Sequence, residues 1–292
     1  MKRVYFFILT LTVSLFATGC GKPSTNTLLQ ECITFFASFD QDLGADYAFG
    51  NNQLFTSPSW SLRGEAVPLD SLTFPGQLEI HRGEGRYRDA LWIDSRYEPV
   101  FFYEGENNFH LSETVFAGTL SFWLRLDPDV TLHPGFSDPV QITSRSWNDG
   151  ALFVDFTDRI PREFRFAIFP DRTVWDPLNL EWDDVPENQR PMIGIRNHPF
   201  SMDTWTHVAI AFENFNSGKP DGIVKTYLNG VFTGSLSERE MTFSWNPSEV
   251  KIWIGYNYRG YLDELILFNR SLTAEEVMKL YSLENGISDL LP

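Results

Sequence analysis

Two adjacent carboxylates stand out first. Residues 260–277 read GYLDELILFNRSLTAEEV, with Asp263 and Glu264 inside a run that is apolar on both faces of a strand. A buried carboxylate without a partner costs several kcal/mol, so something must compensate it. The compensation is a cation, a basic partner such as Arg259 or Arg270, or exposure at a frayed strand start. A second acidic group, EWDDVPE, holds Glu181, Asp183 and Glu187. Glycoside hydrolysis needs two carboxylates about 5–10 Å apart, but Pro186 interrupts any strand there, and the stretch reads as a surface loop. A third group is aromatic. Trp147 and Asp149 lie in SWNDG (146–150), Trp175 and Trp182 in residues 172–184, and Tyr256 and Tyr258 in YNYRG (256–260). Aromatic faces stack on sugar rings while a few polar groups take the hydroxyls. These six are the candidate ligand-binding residues; the competing reading of each aromatic is a plug folded over the core. The five histidines show no paired metal spacing, and His207 reads as packed and hydrogen-bonded. No Gly-x-Ser-x-Gly elbow occurs.

Strands must position these groups. Aromatics make up 15% of the 292 residues, with 26 Phe and 9 Trp, which favours half-buried pleated surfaces. About a dozen strand-like runs recur between turn signals from residue 35 to 268. In GTLSFWLRLD (118–127), Leu120, Phe122, Leu124 and Leu126 share a core face, with Thr119, Ser121, Trp123 and Arg125 on a wet one. In 261–268, strict alternation puts Tyr261, Asp263, Leu265 and Leu267 on one face and Leu262, Glu264, Ile266 and Phe268 on the other. Asn229-Gly230 suits a type I′ hairpin, whose central residues both need positive φ. Thr273 and Glu276 form a capping box, with Leu272 and Val277 as its hydrophobic staple. The fold class is all-β, a two-sheet antiparallel jelly-roll sandwich over residues 31–285 with one short C-terminal helix, followed by a tail at 286–292.

The formal charge is −16 with no basic block after the first three residues, which argues against nucleic acid. At the N-terminus, Lys2 and Arg3 precede an apolar run from Val4 to Ala17, the pattern of an export signal at 1–19. Its end, FATGC, resembles the lipobox of bacterial lipoproteins, which implies a lipid on Cys20, a tether at 20–30 and a place in the cell envelope. Position 17 is Ala, where that family usually has Leu. With Cys20 acylated, Cys32 has no partner for a disulfide and reads as a small buried hydrophobe.

The order FASFD, GTLSFWLRLDPD, DTWTHVAIAFEN, VKTYLNGVFTGSL and IWIGYNYRGYLDELILFNRSLTAEEV resembles the bacterial laminin-G-like branch of the concanavalin A-like lectin/glucanase superfamily, over residues 35–283. The resemblance implies a structural Ca²⁺ near Asp40 and Asp263. The Asp-rich FDQDLGAD (39–46) adds Asp42 and Asp46 as further oxygens, with a solvated Asx-type loop as its competing reading. Against the strand-borne carboxylate motif of that superfamily's glucanases, the spacing of Glu181, Asp183 and Glu187 is one residue too long. The expected function is therefore a non-catalytic, envelope-anchored binding module for a carbohydrate or a cell-surface protein. The alternatives are an adhesive or structural envelope protein without a sugar site, and a glycan-active enzyme.

Overall fold

A computed structural model describes residues 29–69 and 76–291. Seventeen strands run in chain order: β1 (Ile33–Ala37), β2 (Tyr47–Ala48), β3 (Leu54–Ser57), β4 (Val67–Pro68), β5 (Leu78–His81), β6 (Ala90–Asp94), β7 (Val100–Glu104), β8 (Phe116–Arg125), β9 (Ser137–Thr143), β10 (Ala151–Phe156), β11 (Phe164–Phe169), β12 (Met192–Ile195), β13 (Thr206–Phe215), β14 (Gly222–Leu228), β15 (Val231–Arg239), β16 (Lys251–Tyr256) and β17 (Arg259–Phe268). They form two antiparallel sheets. One runs β15-β14-β13-β8-β17-β1-β2, with β6 and β5 joined to it beside β17. The other runs β12-β11-β10-β9-β16-β7-β3-β4. This is the expected sandwich. Its core is the inner faces of both sheets, including Leu120, Phe122 and Leu124 of β8 against Val140, Ile142, Leu152 and Ile252. Such alternating apolar strands bury one face each, the main favourable term in the fold.

The chain's two ends lie side by side in the first sheet, where Ala37 of β1 pairs with Leu265 of β17. The turn between β14 and β15 has positive φ at both Asn229 (51°) and Gly230 (75°), as a type I′ turn requires. The helix Ala274–Tyr281 starts at Thr273, whose hydroxyl accepts the Glu276 amide, while the Glu276 carboxylate accepts the Thr273 amide. Arg270 grips the same carboxylate at 2.7 and 2.8 Å. Leu272 and Val277 are both buried beside it.

Two expectations about strand faces change. The outer side of β8 is not wet: Thr119, Ser121 and Trp123 are buried. The helix covers that face, with Tyr281 stacked 5.6 Å from Trp123, and a second apolar cluster forms there from Ile266, Phe268, Val277, Leu280, Ile287 and Leu290. Residues 286–290, expected to begin a tail, thus contribute to packing. In β17 the alternation breaks. Glu264 sits at φ 50° and the register with β8 shifts between Asp263 and Ile266. This bulge keeps Leu262 and Leu265 on the inner face together, three residues apart.

Candidate functional site

The bulge answers the question of the paired carboxylates. Arg259–Leu262 of β17 pair with β6, whereas Leu265–Phe268 pair with β1. Asp263 and Glu264 fall at the changeover, where β17 leaves one neighbour for the other and ladder amides from elsewhere need acceptors. The loop at 83–89 turns in to fill this gap. Asp263 Oδ2 accepts the Arg86 amide at 2.7 Å and the Tyr87 amide at 3.3 Å, and Oδ1 accepts the Glu264 amide at 2.8 Å. Glu264 Oε2 accepts the Ile287 amide at 2.8 Å, tying down the C-terminal segment. Burial raises both carboxyls, Glu264 to about 8. Three amides on Asp263 oppose that rise, against one on Glu264, so hydrogen bonding favours the ionised form more at Asp263 than at Glu264. Neither expected basic partner reaches them, because Arg259 pairs with Asp94 and Arg270 with Glu276.

As a calcium site, Asp40 and Asp263 do not fit. Calcium takes six to eight oxygens. The Asp263 oxygens already face three N–H groups, and Asp40 accepts the Asp89 amide and the Arg88 guanidinium, both at 3.2 Å. Among the described residues no group of three or more His, Cys, Asp or Glu is arranged to hold a metal. Cys20 lies outside the described residues. Cys32 is buried, and its Sγ donates to the Leu29 carbonyl.

The second sheet carries a different site on its outer face. A cleft of about 660 Å³ runs over β9, β10, β11 and β16. Its walls are Trp60, Tyr97, Phe136, Trp147, Trp182 and Tyr256, and its floor includes Phe153 and Gln141. Trp60, on the 3-10 turn Trp60–Glu65, stacks 3.9 Å above Trp253 of β16 and meets Tyr256 edge-on at 6.2 Å. Tyr97 meets Tyr256 at 5.3 Å. At the other end, Trp147 packs edge-on against Phe169 and Trp182, each at 5.5 Å. Trp182 also carries the Arg190 guanidinium 4.4 Å over its ring.

Two polar groups in this cleft have no hydrogen-bond partner among the described residues. One is the Gln141 amide nitrogen. The other is the carboxyl of Asp138, 9% exposed, which has no hydrogen bond or ion pair. Asp138 reaches the outer side because the β9–β10 register shifts between Val154 and Phe156. Desolvation, together with the nearby Asp155, pushes its carboxyl well above the usual range. Asp155 itself is taken by Arg165 across the β10–β11 hairpin, through Nε at 2.9 Å and a second, shorter bond. The site therefore offers flat apolar faces and one unused acidic group, with the unused Gln141 donor buried in the floor. That is the inventory for stacking a ring and binding its hydroxyls.

Of the six aromatic and acidic candidates, Trp147, Trp182 and Tyr256 line the cleft. Trp175 does not: it packs on Phe169 and its Nε1 donates to the Asn148 carbonyl at 2.9 Å. Asp149 serves the same loop, accepting the Arg172 amide at 2.8 Å and the Arg145 guanidinium at 3.3 Å. Tyr258 is corrected outright. It is 0% exposed, in the core, with its hydroxyl donating to the Tyr261 carbonyl at 3.0 Å. The acidic stretch 181–187 is a loop with two short 3-10 turns, as expected. Sequence reasoning missed Trp60, Asp138, Gln141, Asp155 and Arg165. The available signal was charge at alternating positions in apolar strands, with Asp155 and Arg165 on consecutive ones.

The laminin G-type model of the concanavalin A-like lectin/glucanases superfamily matches residues 104–278. The chain belongs to that superfamily. No curated protein sequence matches it. Among solved structures, domain 4 of an extracellular arabinanase from Geobacillus stearothermophilus, in complex with arabinotriose, superposes with a TM-score of 0.51 at 15% identity, covering 86% of this chain and 98% of that one. The binding domain of Paraclostridial Mosquitocidal Protein 1 gives 0.53 at 18% identity, covering 87% of this chain and 52% of that one. The receptor-binding domain of botulinum neurotoxin mosaic serotype C/D gives 0.54 at 12%, with 87% and 51% covered. This chain spans about half the length of the two toxin domains. At these identities the likeness concerns the fold.

Proposed function

We propose that this protein is a carbohydrate-binding module whose ligand lies in the outer cleft of the second sheet. One observation carries the reading: aromatic walls at Trp60, Trp147, Trp182 and Tyr256 enclose the Asp138 carboxyl and a floor at Gln141, whose amide nitrogen has no partner among the described residues. The arabinotriose-bound neighbour supports it as a precedent on the same fold. Across the sheet the lining runs from Met192 on β12 to Tyr256 on β16, four strand spacings or about 19 Å at about 4.8 Å each, so the cleft suits an extended chain rather than one ring. A glycan array with the wild-type protein and Trp60→Ala tests the proposal. Binding to at least one oligosaccharide that the variant loses supports it; an empty array, or binding indifferent to Trp60, overturns it.

The location follows from the first twenty residues, not from the fold. Lys2, Arg3, the apolar run and the FATGC end support export and a lipid on Cys20. Mass analysis of the mature N-terminal peptide tests this: a diacylated Cys20 is expected, and an unmodified peptide would remove the anchor.

A further inference from the structure

We propose that the glycan bound in this cleft carries a protonated amine, and that Asp138 receives it. The inference rests on the carbohydrate reading and names the ligand class within it.

Asp138 lines the cleft, is nine-tenths buried, and has no hydrogen bond or ion pair among the described residues. Natural interiors rarely leave an ionisable group so. Arg165 would be the obvious partner, but it holds both oxygens of Asp155 and lies 5.1 Å over the Phe136 ring. Among the described residues lining the cleft, Arg165 is the one cation. Opposite charges at Asp155 and Arg165 cancel, so an ionised Asp138 leaves the cleft with one net negative charge.

The surrounding rings point the same way. Phe136, Tyr97 and Tyr256 gather at the Asp138 end, where Asp138 pairs with Tyr256 across β9 and β16. Aromatic faces attract cations, and more strongly where water is excluded. Each end has a ring that already carries a guanidinium, Phe136 with Arg165 and Trp182 with Arg190. What sets the Asp138 end apart is its carboxyl without a hydrogen-bond partner among the described residues, beside Tyr97 and Tyr256. Charge across the molecule agrees, since 39 acidic against 23 basic residues repel acidic polysaccharides and draw basic ones.

Burial and Asp155 favour the neutral form of Asp138, and a neutral sugar does nothing to oppose that. An ammonium group favours the ionised form, whose proton passes to solvent, and donates a charge-assisted hydrogen bond to the carboxylate. Asp155, Arg165 and Tyr256 face Asp138 from β10, β11 and β16. Asp155 opposes its ionisation and Arg165 favours it.

Titration calorimetry at low salt tests the proposal with two probes, glucosamine oligomers and their fully N-acetylated counterparts. Wild type is expected to bind the amine form about tenfold or more tighter. Asp138→Asn, which keeps the shape, should erase that preference, so that the variant binds the two forms within about twofold of one another. Equal or tighter binding of the N-acetylated oligomer overturns the proposal, as does a preference that survives in Asp138→Asn. Should neutral oligosaccharides bind through Trp60 without regard to an amine, the carbohydrate reading stands and this inference alone fails.

Discussion

Arg165 of β11 takes both carboxylate oxygens of Asp155 on β10, and Asp138 on the neighbouring strand is left without a partner. The same basic group cannot serve both acids. This division of labour makes one carboxylate structural and one available.

Asp138→Asn should stabilise the ligand-free protein at neutral pH. Burial raises the folded-state affinity of this carboxyl for its proton. The unfolded chain releases that proton near pH 4, so its retention costs stability increasingly as pH rises above 4. Removing an unpaired buried acid is worth about 1–3 kcal/mol, or roughly 2–10 °C in Tm for a chain of this size. Thermal melts at pH 7 and pH 4 check it: the gain is present at the first and shrinks at the second.

Glu264 predicts a second pH effect. Its proton affinity is raised from about 4.5 to about 8 by burial. The folded chain therefore holds a proton through the window from about 4.5 to 8 that the unfolded chain gives up. Stability contributed here falls as pH rises across that window. Glu264→Gln keeps an oxygen for the Ile287 amide and should flatten the slope of urea-derived stability between pH 5 and 8. An unchanged slope contradicts the assignment.

Asp263 behaves differently, because three amides converge on it. Asp263→Asn turns an N–H₂ group towards N–H donors at the β17 changeover. The expected cost is about 3 kcal/mol or more, larger than that of Glu264→Gln at pH 7. Equilibrium urea unfolding of the two variants side by side decides the order.

Calcium should leave the fold unmoved. The Asp263 oxygens face amides and Asp40 faces Arg88 and Asp89. Melting with EDTA and with added calcium is expected to give one midpoint. A rise of several degrees with calcium would restore a metal near Asp40, Asp42 and Asp46.

Much of the architecture was legible from residue pattern. The core face of 118–127, the Asn229-Gly230 turn and the Thr273–Glu276 cap each follow from local chemistry, and each is present as expected. The site was less legible for a physical reason. Trp60, Tyr97, Phe136, Asp138 and Tyr256 come from separate segments that only the sheet order brings together. Two bulges also invert local parity: one at Asp263–Glu264, the other beside Asp155, which turns Asp138 outward. A period-2 reading carries no sign of such insertions. Tyr258 fell the other way: its neighbour Tyr256 lines the cleft, but Asn257 is at φ 50° and the chain turns Tyr258 into the core.

Tyr258→Phe separates the two tyrosines. It should cost about 1 kcal/mol through the lost bond to the Tyr261 carbonyl and leave glycan affinity unchanged. Tyr256→Ala should do the reverse, weakening glycan binding about tenfold with little change in Tm. Calorimetry and melting of both variants check the contrast.

A crystal structure with a bound oligosaccharide tests the carbohydrate site most directly. Sugar rings are expected over the outer face of β9, β10 and β16, one stacked beside Trp60 or Tyr256 and one polar group within hydrogen-bond reach of Asp138 or Gln141. A sugar bound on the helix-covered sheet or at the loops joining the sheets, with this cleft holding only water, would contradict it.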